Sequence, residues 1–275
     1  MTNETHRANR RHWDGGLAAE FQKQSEETQM WRRCLREPEE AFDGGALQLI
    51  RECVPDVAGK EVCLVGSGDN HAAFALAGMG ARLTSVDQSE RQLETAAERA
   101  AELELEIAFV RADAADMGAL ENDRFDLVCS TNGFFVWLAD LHGVFSEIRR
   151  LLKPGGAYVF YDIHPFQRPW KEVVEAAEME KPYFETGPFS DSGEGPFYFH
   201  WKAEDLLNAL ADAGLVLRRL RESPARESRM WEGSRWYLRG EHPERLDWRN
   251  NPRAGLPVWL AAALQKPAGA ADQAW

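Results

Sequence analysis

Short, mostly apolar runs alternate with helix-like segments from about residue 60 to residue 163. Five such runs are Val62–Val65, Leu83–Val86, Ile107–Val110, Phe125–Cys129 and Ala157–Tyr161. Short runs of this kind are typical of strands that are covered on both faces of a parallel sheet. After Ser89, a predicted N-cap, apolar residues recur at helical spacing: Leu93, Ala96, Ala97, Ala100 and Leu103. The alternation predicts βαβ units.

This pattern favours an α/β protein with a doubly wound sheet. A helix is predicted over residues 138–152, ending where Lys153-Pro154-Gly155-Gly156 cannot continue it. Later runs at 215–217 and 256–264 bring the expected total to about seven strands, mostly parallel, with an antiparallel last strand. Helices are expected on both faces of the sheet.

Two irregular stretches interrupt the rhythm after the fifth and sixth strands, at residues 164–200 and 224–255. The first is rich in proline, glycine and aromatic residues, and both are too long for ordinary connections. We therefore predict an N-terminal helical cap over residues 1–56 and a main domain over residues 57–267 that contains both insertions. Residues 268–275 are predicted to form a tail.

Composition narrows the classes of function. Lys and Arg total 32 against 45 Asp and Glu, and the net charge of −13 disfavours nucleic acid or an anionic membrane as the main partner. The four cysteines form no CxxC pair and have no histidines at ligand spacing, so neither a disulfide framework nor a metal site is predicted. No apolar stretch is long enough to span a membrane, and we predict a cytoplasmic protein.

Tryptophan is unusually abundant, with ten residues in the chain. Seven of them follow residue 165: Trp170, Trp201, Trp231, Trp236, Trp248, Trp259 and Trp275. Aromatic loops beyond the strands can line a substrate pocket or form a small auxiliary core, and both interpretations stay open. An acidic, aromatic-rich site favours a cationic amine, whereas the arginines between residues 218 and 229 suit an anionic group or a solvated surface.

The stretch that carries chemistry is the turn Gly66-Ser67-Gly68, which directly follows the first strand. Asp87 ends the second strand, 19 residues after Gly68. Glycines let a ligand approach the backbone and permit positive φ, while a carboxylate at Asp87 can accept hydrogen bonds from two ribose hydroxyls. The combination indicates an adenosine cofactor, and a tight βα turn without a ligand is the structural alternative.

Four blocks in order resemble the class I S-adenosylmethionine-dependent methyltransferases over roughly residues 57–163: Gly66-Ser67-Gly68, Val86-Asp87, Arg111-Ala112-Asp113-Ala114, and Phe125–Val128 leading through residues 151–156. The resemblance implies a Rossmann-like fold, S-adenosylmethionine as cofactor and a small-molecule acceptor. It implies that Asp87 holds the ribose and that Gln88 lies beside the adenine. Asp113 and the Ala114 amide would read the adenine edge. The residues beside the methionine part would be Ser130, Thr131 and Asn132.

Two positions depart from the family pattern. Leu64 stands where an acidic residue is usual, and Asn70 replaces the third glycine, although asparagine can adopt a left-handed conformation or cap the next helix. His12-Trp13-Asp14 resembles the aromatic segment with which many family members close over the cofactor. Trp13 serves equally well as a residue that packs a cap helix on the core.

The implied chemistry is an in-line displacement at a methyl group whose leaving group is already activated, so positioning and desolvation supply most of the acceleration. A base is needed only when the nucleophile arrives protonated. Asp162 and His164 are the candidate bases because they lie near the end of strand five. His164 is the more attractive of the two because imidazole titrates near pH 7. His164-Pro165 is alternatively a simple loop entry, and His200 and Glu185 are further candidates.

Two other functions stay open. An NAD-dependent oxidoreductase uses a similar glycine turn, but its pattern requires glycine where His71 stands. A non-catalytic cofactor-binding protein with the same fold is the other alternative, and Leu64 together with the absence of an obvious base favours it. The oligomeric state and the acceptor atom are not predicted.

Overall fold

The computed structural model describes residues 2–68, 70–171, 177–193, 195–231 and 242–269. The described strands are β1 Glu61–Val65, β2 Arg82–Asp87, β3 Ile107–Arg111, β4 Phe125–Ser130, β5 Leu152–Ile163, β6 Val216–Ser223 and β7 Trp259–Gln265. They form one sheet in the order β3-β2-β1-β4-β5-β7-β6. Neighbouring strands are parallel except where β7 runs antiparallel to β5 and β6. The predicted doubly wound α/β sheet with an antiparallel last strand is confirmed.

Helices cover both faces of this sheet. The described α-helices are α1 Thr2–His12, α2 Ala18–Thr28, α3 Met30–Arg33, α4 Ala46–Cys53, α5 His71–Gly78, α6 Glu90–Glu102, α7 Leu141–Leu151 and α8 Ala203–Asp212. Side chains of a strand alternate between faces. Accordingly, Val62 and Leu64 lie in a buried cluster with α4, α5 and α6, while Cys63 and Val65 lie in a second cluster with α7 and α8. No described helix has the length and apolar character needed to cross a bilayer.

The chain between α7 and the regular part of β5 differs slightly from the prediction. α7 ends at Leu151, and β5 begins immediately at Leu152, so the Lys-Pro-Gly-Gly segment lies within the strand's irregular start. A Cβ atom at Gly156 would lie 2.9 Å from the Lys153 carbonyl oxygen and 3.0 Å from that of Phe125. Glycine is therefore required where the irregular start of β5 lies close beside the backbone of β4.

The last strand starts later than predicted, at Trp259 rather than Leu256. Residues Pro252–Gly255 form a 3₁₀ turn, and Pro257 has no N–H group to donate to a neighbouring strand. The sheet pairing consequently begins where Trp259 faces Ile163 and Ser223.

The predicted N-terminal cap has two parts in the structure. Helix α4 packs against β5 and β7 and so belongs to the helical layer of the main domain. Helix α1 lies over the far end of the sheet, held by the fully buried Asn9. The Asn9 side chain accepts from the Phe197 N–H at 2.7 Å and donates to the carbonyl oxygens of Phe197 and Trp137. This single amide joins α1, the first insertion and the loop after β4.

The described parts of the two insertions contain short 3₁₀ turns and isolated bridges, such as the one between Phe189 and Tyr198. Several predicted features lie outside the described residues: positions 172–176 and 194 of the first insertion, 232–241 of the second with Trp236, and the tail from 270 with Trp275.

Candidate active site

Two adjoining cavities open at the carboxyl ends of the parallel strands. The first, called the glycine-turn cavity, measures about 240 Å³ and is bounded by the loops after β1, β2, β3 and β4 and by α1. The second, called the aromatic cavity, measures about 780 Å³ and is bounded largely by the segment that precedes α4 and by the two insertions. Ser67, Thr131 and Asn132 line both cavities. Open α/β sheets bind ligands at this edge.

The glycine turn leaves its backbone exposed to the first cavity. Gly66 has φ +64°, and a Cβ there would lie 2.3 Å from Cδ2 of Phe134, whose ring covers the turn. Gly68 has φ +50°, and a Cβ there would meet no atom within 4 Å. Both positions favour glycine by conformation, but only Gly66 needs it for space.

Asn70 replaces the third glycine of the family pattern in a left-handed conformation, with φ +63°. Its side chain makes no cap to α5 and instead donates to the Gly68 carbonyl oxygen at 2.6 Å. Ser85 donates to the Asn70 amide oxygen, and its hydroxyl also lies 2.7 Å from that of Ser67. This buried network fixes the turn between β1 and α5.

Asp87 faces the glycine-turn cavity with both oxygens held by backbone groups. One oxygen accepts from Gly68 N–H and the other from Ser89 N–H, each at 2.9 Å. Burial raises the pKa of Asp87, although these N–H groups favour its charged form. Each oxygen retains a lone pair for a further donor, so the carboxylate is placed to accept from a diol.

Asp113 carries an unexpected partner from the N-terminal helix. Its Oδ2 lies 2.6 Å from Nδ1 of His6, and its Oδ1 accepts from the Ala115 N–H at 3.0 Å. Burial acts to raise the pKa of Asp113, but the hydrogen bonds from His6 and Ala115 outweigh it and hold the pKa below its usual value. Nε2 of His6 is buried, lies on a residue that lines the cavity, and has no hydrogen-bond partner among the described residues.

Most sequence-predicted cofactor residues meet in the wall of the glycine-turn cavity: Trp13, Gly66, Ser67, Gly68, Asp87, Gln88, Asp113, Ala114, Thr131 and Asn132. Trp13 packs edge-on against Trp137, with ring centroids 5.5 Å apart, so both indoles close one side. The sequence analysis assigned no ligand contact to several further wall residues: His6, Val65, Val86, Gln92, Ala112, Gly133 and Leu138.

Ser130 is the exception among the predicted cofactor residues. Its side chain is buried and its hydroxyl lies 2.7 Å from that of Tyr158. It lines neither cavity. Because side chains alternate along a strand, Ser130 faces the α7 side, as Val128 does in the same buried cluster. The predicted contact with a ligand therefore has no counterpart in this geometry.

Asp162 is 2% exposed and lines neither cavity. Oδ1 accepts from the N–H groups of Gly133, at 3.1 Å, and Ile163, while Oδ2 accepts from Phe135 N–H at 3.0 Å. Burial raises the pKa of Asp162, against the opposing effects of Arg168 and these N–H groups. The carboxylate holds the loop after β4 and has no contact with the cavity space that a general base needs.

His164 is also removed from both cavities, at 1% exposure. Its Nε2 lies 2.9 Å from Glu222 Oε1 on β6, and its Nδ1 accepts from Phe166 N–H at 3.1 Å. Burial lowers the pKa of His164, although Glu222 acts in the opposite direction. The loop-entry interpretation fits this geometry, and the base role stays a prediction.

The two insertions supply much of the aromatic cavity's wall. Arg168, Trp170 and His200 come from the first insertion, and Trp231 and Arg253 come from the second. Burial, followed by the positive charges of Arg168 and Lys181, lowers the pKa of His200 to about 3, so the imidazole is neutral. Phe199 stacks on Trp201, with centroids 5.3 Å apart, outside this wall. The insertions thus line a pocket and also pack internally.

Parts of the chain are similar in sequence to known methyltransferases. A family model described as "Methyltransferase domain" matches residues 64–160. The ubiquinone biosynthesis O-methyltransferase of Alkalilimnicola ehrlichii is 26% identical over 132 residues, which cover 48% of this chain and 53% of that protein. The demethylmenaquinone methyltransferase of Clavibacter sepedonicus is 35% identical over 106 residues, 38% of this chain and 42% of that protein. The chain spans about half the length of these curated relatives.

Among solved structures, an S-adenosylmethionine-dependent methyltransferase from Mesorhizobium loti has a similar fold, with a TM-score of 0.59 and 23% identity. The similarity covers 81% of this chain and 97% of that one. It extends well beyond the matched domain and includes much of the sheet described above.

Proposed function

We propose that this chain, which carries the methyltransferase domain and the fold of the class I S-adenosylmethionine-dependent methyltransferases, transfers a methyl group from S-adenosylmethionine to a small molecule. The observation that carries the proposal is the junction of the two cavities at Ser67, Thr131 and Asn132. A donor in the glycine-turn cavity and an acceptor in the aromatic cavity meet at this shared wall. In-line displacement requires such an approach of two bound molecules.

The glycine-turn cavity suits an adenosine-containing cofactor, which supplies a methyl group on a positively charged sulfur. The open backbone at Gly68 admits a ligand, and Asp87 has lone pairs for the two ribose hydroxyls. We assign the adenine side to Gln88, Asp113 and Ala114. Nε2 of His6, which has no partner in the described ranges, adds a polar atom there that a ligand can satisfy.

The remaining residues position the two molecules and exclude water. Trp13 and Trp137 close the glycine-turn cavity beside α1. Asp162 binds the amides of Gly133 and Phe135 and so holds the loop that contains Thr131 and Asn132 between the cavities. A methyl transfer from sulfonium depends mainly on such positioning and desolvation. The proposal therefore needs neither Asp162 nor His164 as a base.

A small-molecule acceptor is proposed because the aromatic cavity is enclosed by insertions and lined by indole and phenol rings. The names of the curated relatives refer to ubiquinone biosynthesis and demethylmenaquinone, which are also small molecules. We further propose a cytoplasmic enzyme with no nucleic-acid or membrane partner, in keeping with the net charge of −13.

The NAD-dependent alternative fits this geometry less well. His71 begins α5 where the dinucleotide pattern requires glycine, and its Nε2 lies 2.8 Å from Ser25 Oγ on α2. An imidazole and a second helix therefore occupy the approach to the start of α5, where a dinucleotide's pyrophosphate binds. The non-catalytic alternative rests on Leu64 and on the position of Asp162 and His164 away from both cavities, and a turnover measurement separates it from the proposed enzyme.

Isothermal titration calorimetry tests the cofactor assignment. We expect S-adenosylmethionine and S-adenosylhomocysteine to bind to the wild-type protein and NAD not to bind. Asp87→Ala should weaken binding at least about tenfold, because it removes acceptors for two hydroxyls. Asp212→Ala, on the exposed side of α8, is the matched control. Cofactor binding without S-adenosylhomocysteine release over phenol, amine and carboxylate acceptors would favour the non-catalytic alternative, and no binding at millimolar ligand would refute the proposal.

A further inference from the structure

The polar groups in the wall of the aromatic cavity are unevenly satisfied. The indole N–H of Trp170 donates to the Phe166 carbonyl oxygen at 2.7 Å. Trp231 is only 3% exposed, and its buried indole N–H has no hydrogen-bond partner among the described residues. A buried donor without an acceptor costs free energy, so native structures rarely keep one unless a ligand or water completes it. Trp231 lines the aromatic cavity, so its wall contains a donor whose acceptor is missing from the described residues.

Arg168 adds a second, stronger donor to the same wall. The one hydrogen bond that its guanidinium makes to a described residue is long, 3.5 Å from Nη2 to Oδ1 of Asp162. That oxygen already accepts from Gly133 N–H and Ile163 N–H. Burial lowers the pKa of Arg168 despite the neighbouring carboxylate. Within the described part of the chain the positive charge is therefore incompletely balanced, and a fork of N–H donors is left for another group.

His200 reports the same electrostatic environment. It lines the aromatic cavity, and its buried Nδ1 has no hydrogen-bond partner in the ranges that the structure describes. Its pKa is lowered first by burial and then by Arg168 and Lys181. A neutral imidazole adds no negative charge to this part of the wall.

Among the described residues, Arg168 forms its ion pair with Asp162, which does not line the cavity, and with none of the acidic wall residues. Two of them bind arginines outside the cavity: Glu39 Oε1 lies 2.9 Å from Arg51, and Glu40 Oε2 lies 2.8 Å from Arg33. The other acidic wall residues are the half-buried Asp43 and the exposed Glu180 and Glu227. The net charge of −13 of the whole chain therefore does not provide Arg168 with an ion-pair partner in the described part of the cavity wall.

The rest of the wall is aromatic. Phe42, Tyr161, Trp170, Trp231 and Trp259 line the cavity, and Arg253 covers the Trp231 ring with its guanidinium carbon 5.4 Å from the ring centroid. A pocket with a flat apolar wall and a few convergent donors selects a molecule with the complementary halves. We infer that the acceptor is an aromatic carboxylate, whose ring lies against these side chains and whose carboxylate is bound by Arg168 and the indole N–H of Trp231.

This inference rests on the proposed methyl transfer for the identity of the cavity's occupant, but its test is a binding measurement. The protein is first titrated with S-adenosylhomocysteine alone, which tests the cofactor site independently. With that ligand saturating, calorimetry then compares 4-hydroxybenzoate with the neutral 4-hydroxybenzyl alcohol, with the cationic tyramine and with phenyl phosphate. We expect 4-hydroxybenzoate to bind at least about tenfold more tightly than the alcohol, the effect of one charge-assisted hydrogen bond.

Arg168→Gln should remove most of this preference and leave the affinity for the alcohol nearly unchanged. Arg218→Gln removes the same charge from the exposed face of β6 and should keep the preference. Trp231→Phe retains a ring and deletes the N–H group, so we expect a smaller, several-fold loss for the carboxylate alone. Trp248→Phe, at a residue 57% exposed, is its matched control. Should Arg168→Gln lose S-adenosylhomocysteine binding through misfolding, Trp231→Phe carries the test.

Several results would overturn the inference. These are equal or tighter binding of the alcohol or tyramine, tighter binding of phenyl phosphate, no binding of 4-hydroxybenzoate at millimolar concentration, and an undiminished preference in Arg168→Gln and Trp231→Phe. Failure of the proposed function gives a different result. In that case S-adenosylhomocysteine does not bind in the first titration, while the preference for the carboxylate is still measurable in the protein without that ligand.

Discussion

The imidazole of His6 lies 2.6 Å from the carboxylate of Asp113, across 107 residues of sequence. His6 is in the N-terminal helix α1 and Asp113 follows β3, so the contact places α1 over the carboxyl end of the sheet. Nε2 of the same ring is buried without a partner in the described part of the chain. His6 is thus held by Asp113 at one nitrogen and offers the other to the glycine-turn cavity.

His6→Ala is expected to weaken S-adenosylhomocysteine binding roughly tenfold, because a buried hydrogen bond and the orientation of Asp113 are both lost. Calorimetry with the purified protein measures this change. His142→Ala, at a histidine whose side chain is 66% exposed on α7, should bind the ligand as the wild type does. Equal affinities for His6→Ala and His142→Ala would mean that α1 merely covers the cavity.

Alanine at the two glycines of the turn should have unequal effects. Gly68→Ala meets open space and suffers only the left-handed conformation, which costs about 1–2 kcal/mol. Gly66→Ala suffers the same strain and also pushes into the Phe134 ring, at roughly 1–3 kcal/mol more. Urea denaturation of both variants measures the difference. Similar free energies of unfolding would indicate that Phe134 moves aside without cost.

Asp162→Asn separates a positioning role from a catalytic one. The amide cannot accept all three backbone N–H groups as the carboxylate does, and we expect a loss of about 1.5–3 kcal/mol in the free energy of unfolding. S-adenosylhomocysteine should bind more weakly, because the loop that holds Thr131 and Asn132 loosens. Asp212→Asn is the exposed control. Unchanged stability and binding, with a lower kcat and an altered pH profile, would instead favour the base predicted from the sequence.

His200 gives the protein a pH dependence. Because its folded-state pKa, about 3, lies below the ordinary value of 6.5, the unfolded chain binds a proton first as the pH falls. The contribution to stability is therefore complete above pH 6.5 and declines between pH 6.5 and about 3. His200→Phe keeps ring contacts with Phe189 and Tyr198 and should flatten the decline in the free energy of unfolding between pH 7.5 and 5. An identical slope in both proteins would contradict this assignment.

The alternation of strands and helices, and the edge of the sheet where the predicted cofactor residues lie, were predictable because they depend on local patterns. Apolar runs mark the strands, and a glycine turn followed by an acid at the end of the next strand marks the carboxyl edge. The sequence did not show which way Ser130 faces. Residues next to each other in a strand face opposite sides, so the Ser130 hydroxyl lies beside that of Tyr158, while Thr131 lines both cavities.

Partners distant in sequence were not predictable. The Asp162 carboxylate is engaged by amides 27 and 29 residues away, and the His164 ring by a carboxylate 58 residues away. Both residues are near the site along the chain, as expected, but no periodicity shows where a side chain points or what already binds it. His6 escaped attention for the same reason, because nothing near it in sequence marks its contact with Asp113.

The Asn9 side chain described above sets a practical boundary for work on this protein. It bonds to both Phe197 and Trp137, so a shortened protein that starts after α1 would strand the Phe197 N–H and remove one wall of the glycine-turn cavity. The family model matches residues 64–160 alone. The walls of the two cavities include residues on both sides of that stretch. A recombinant protein therefore has to keep the first dozen residues to form the glycine-turn cavity completely.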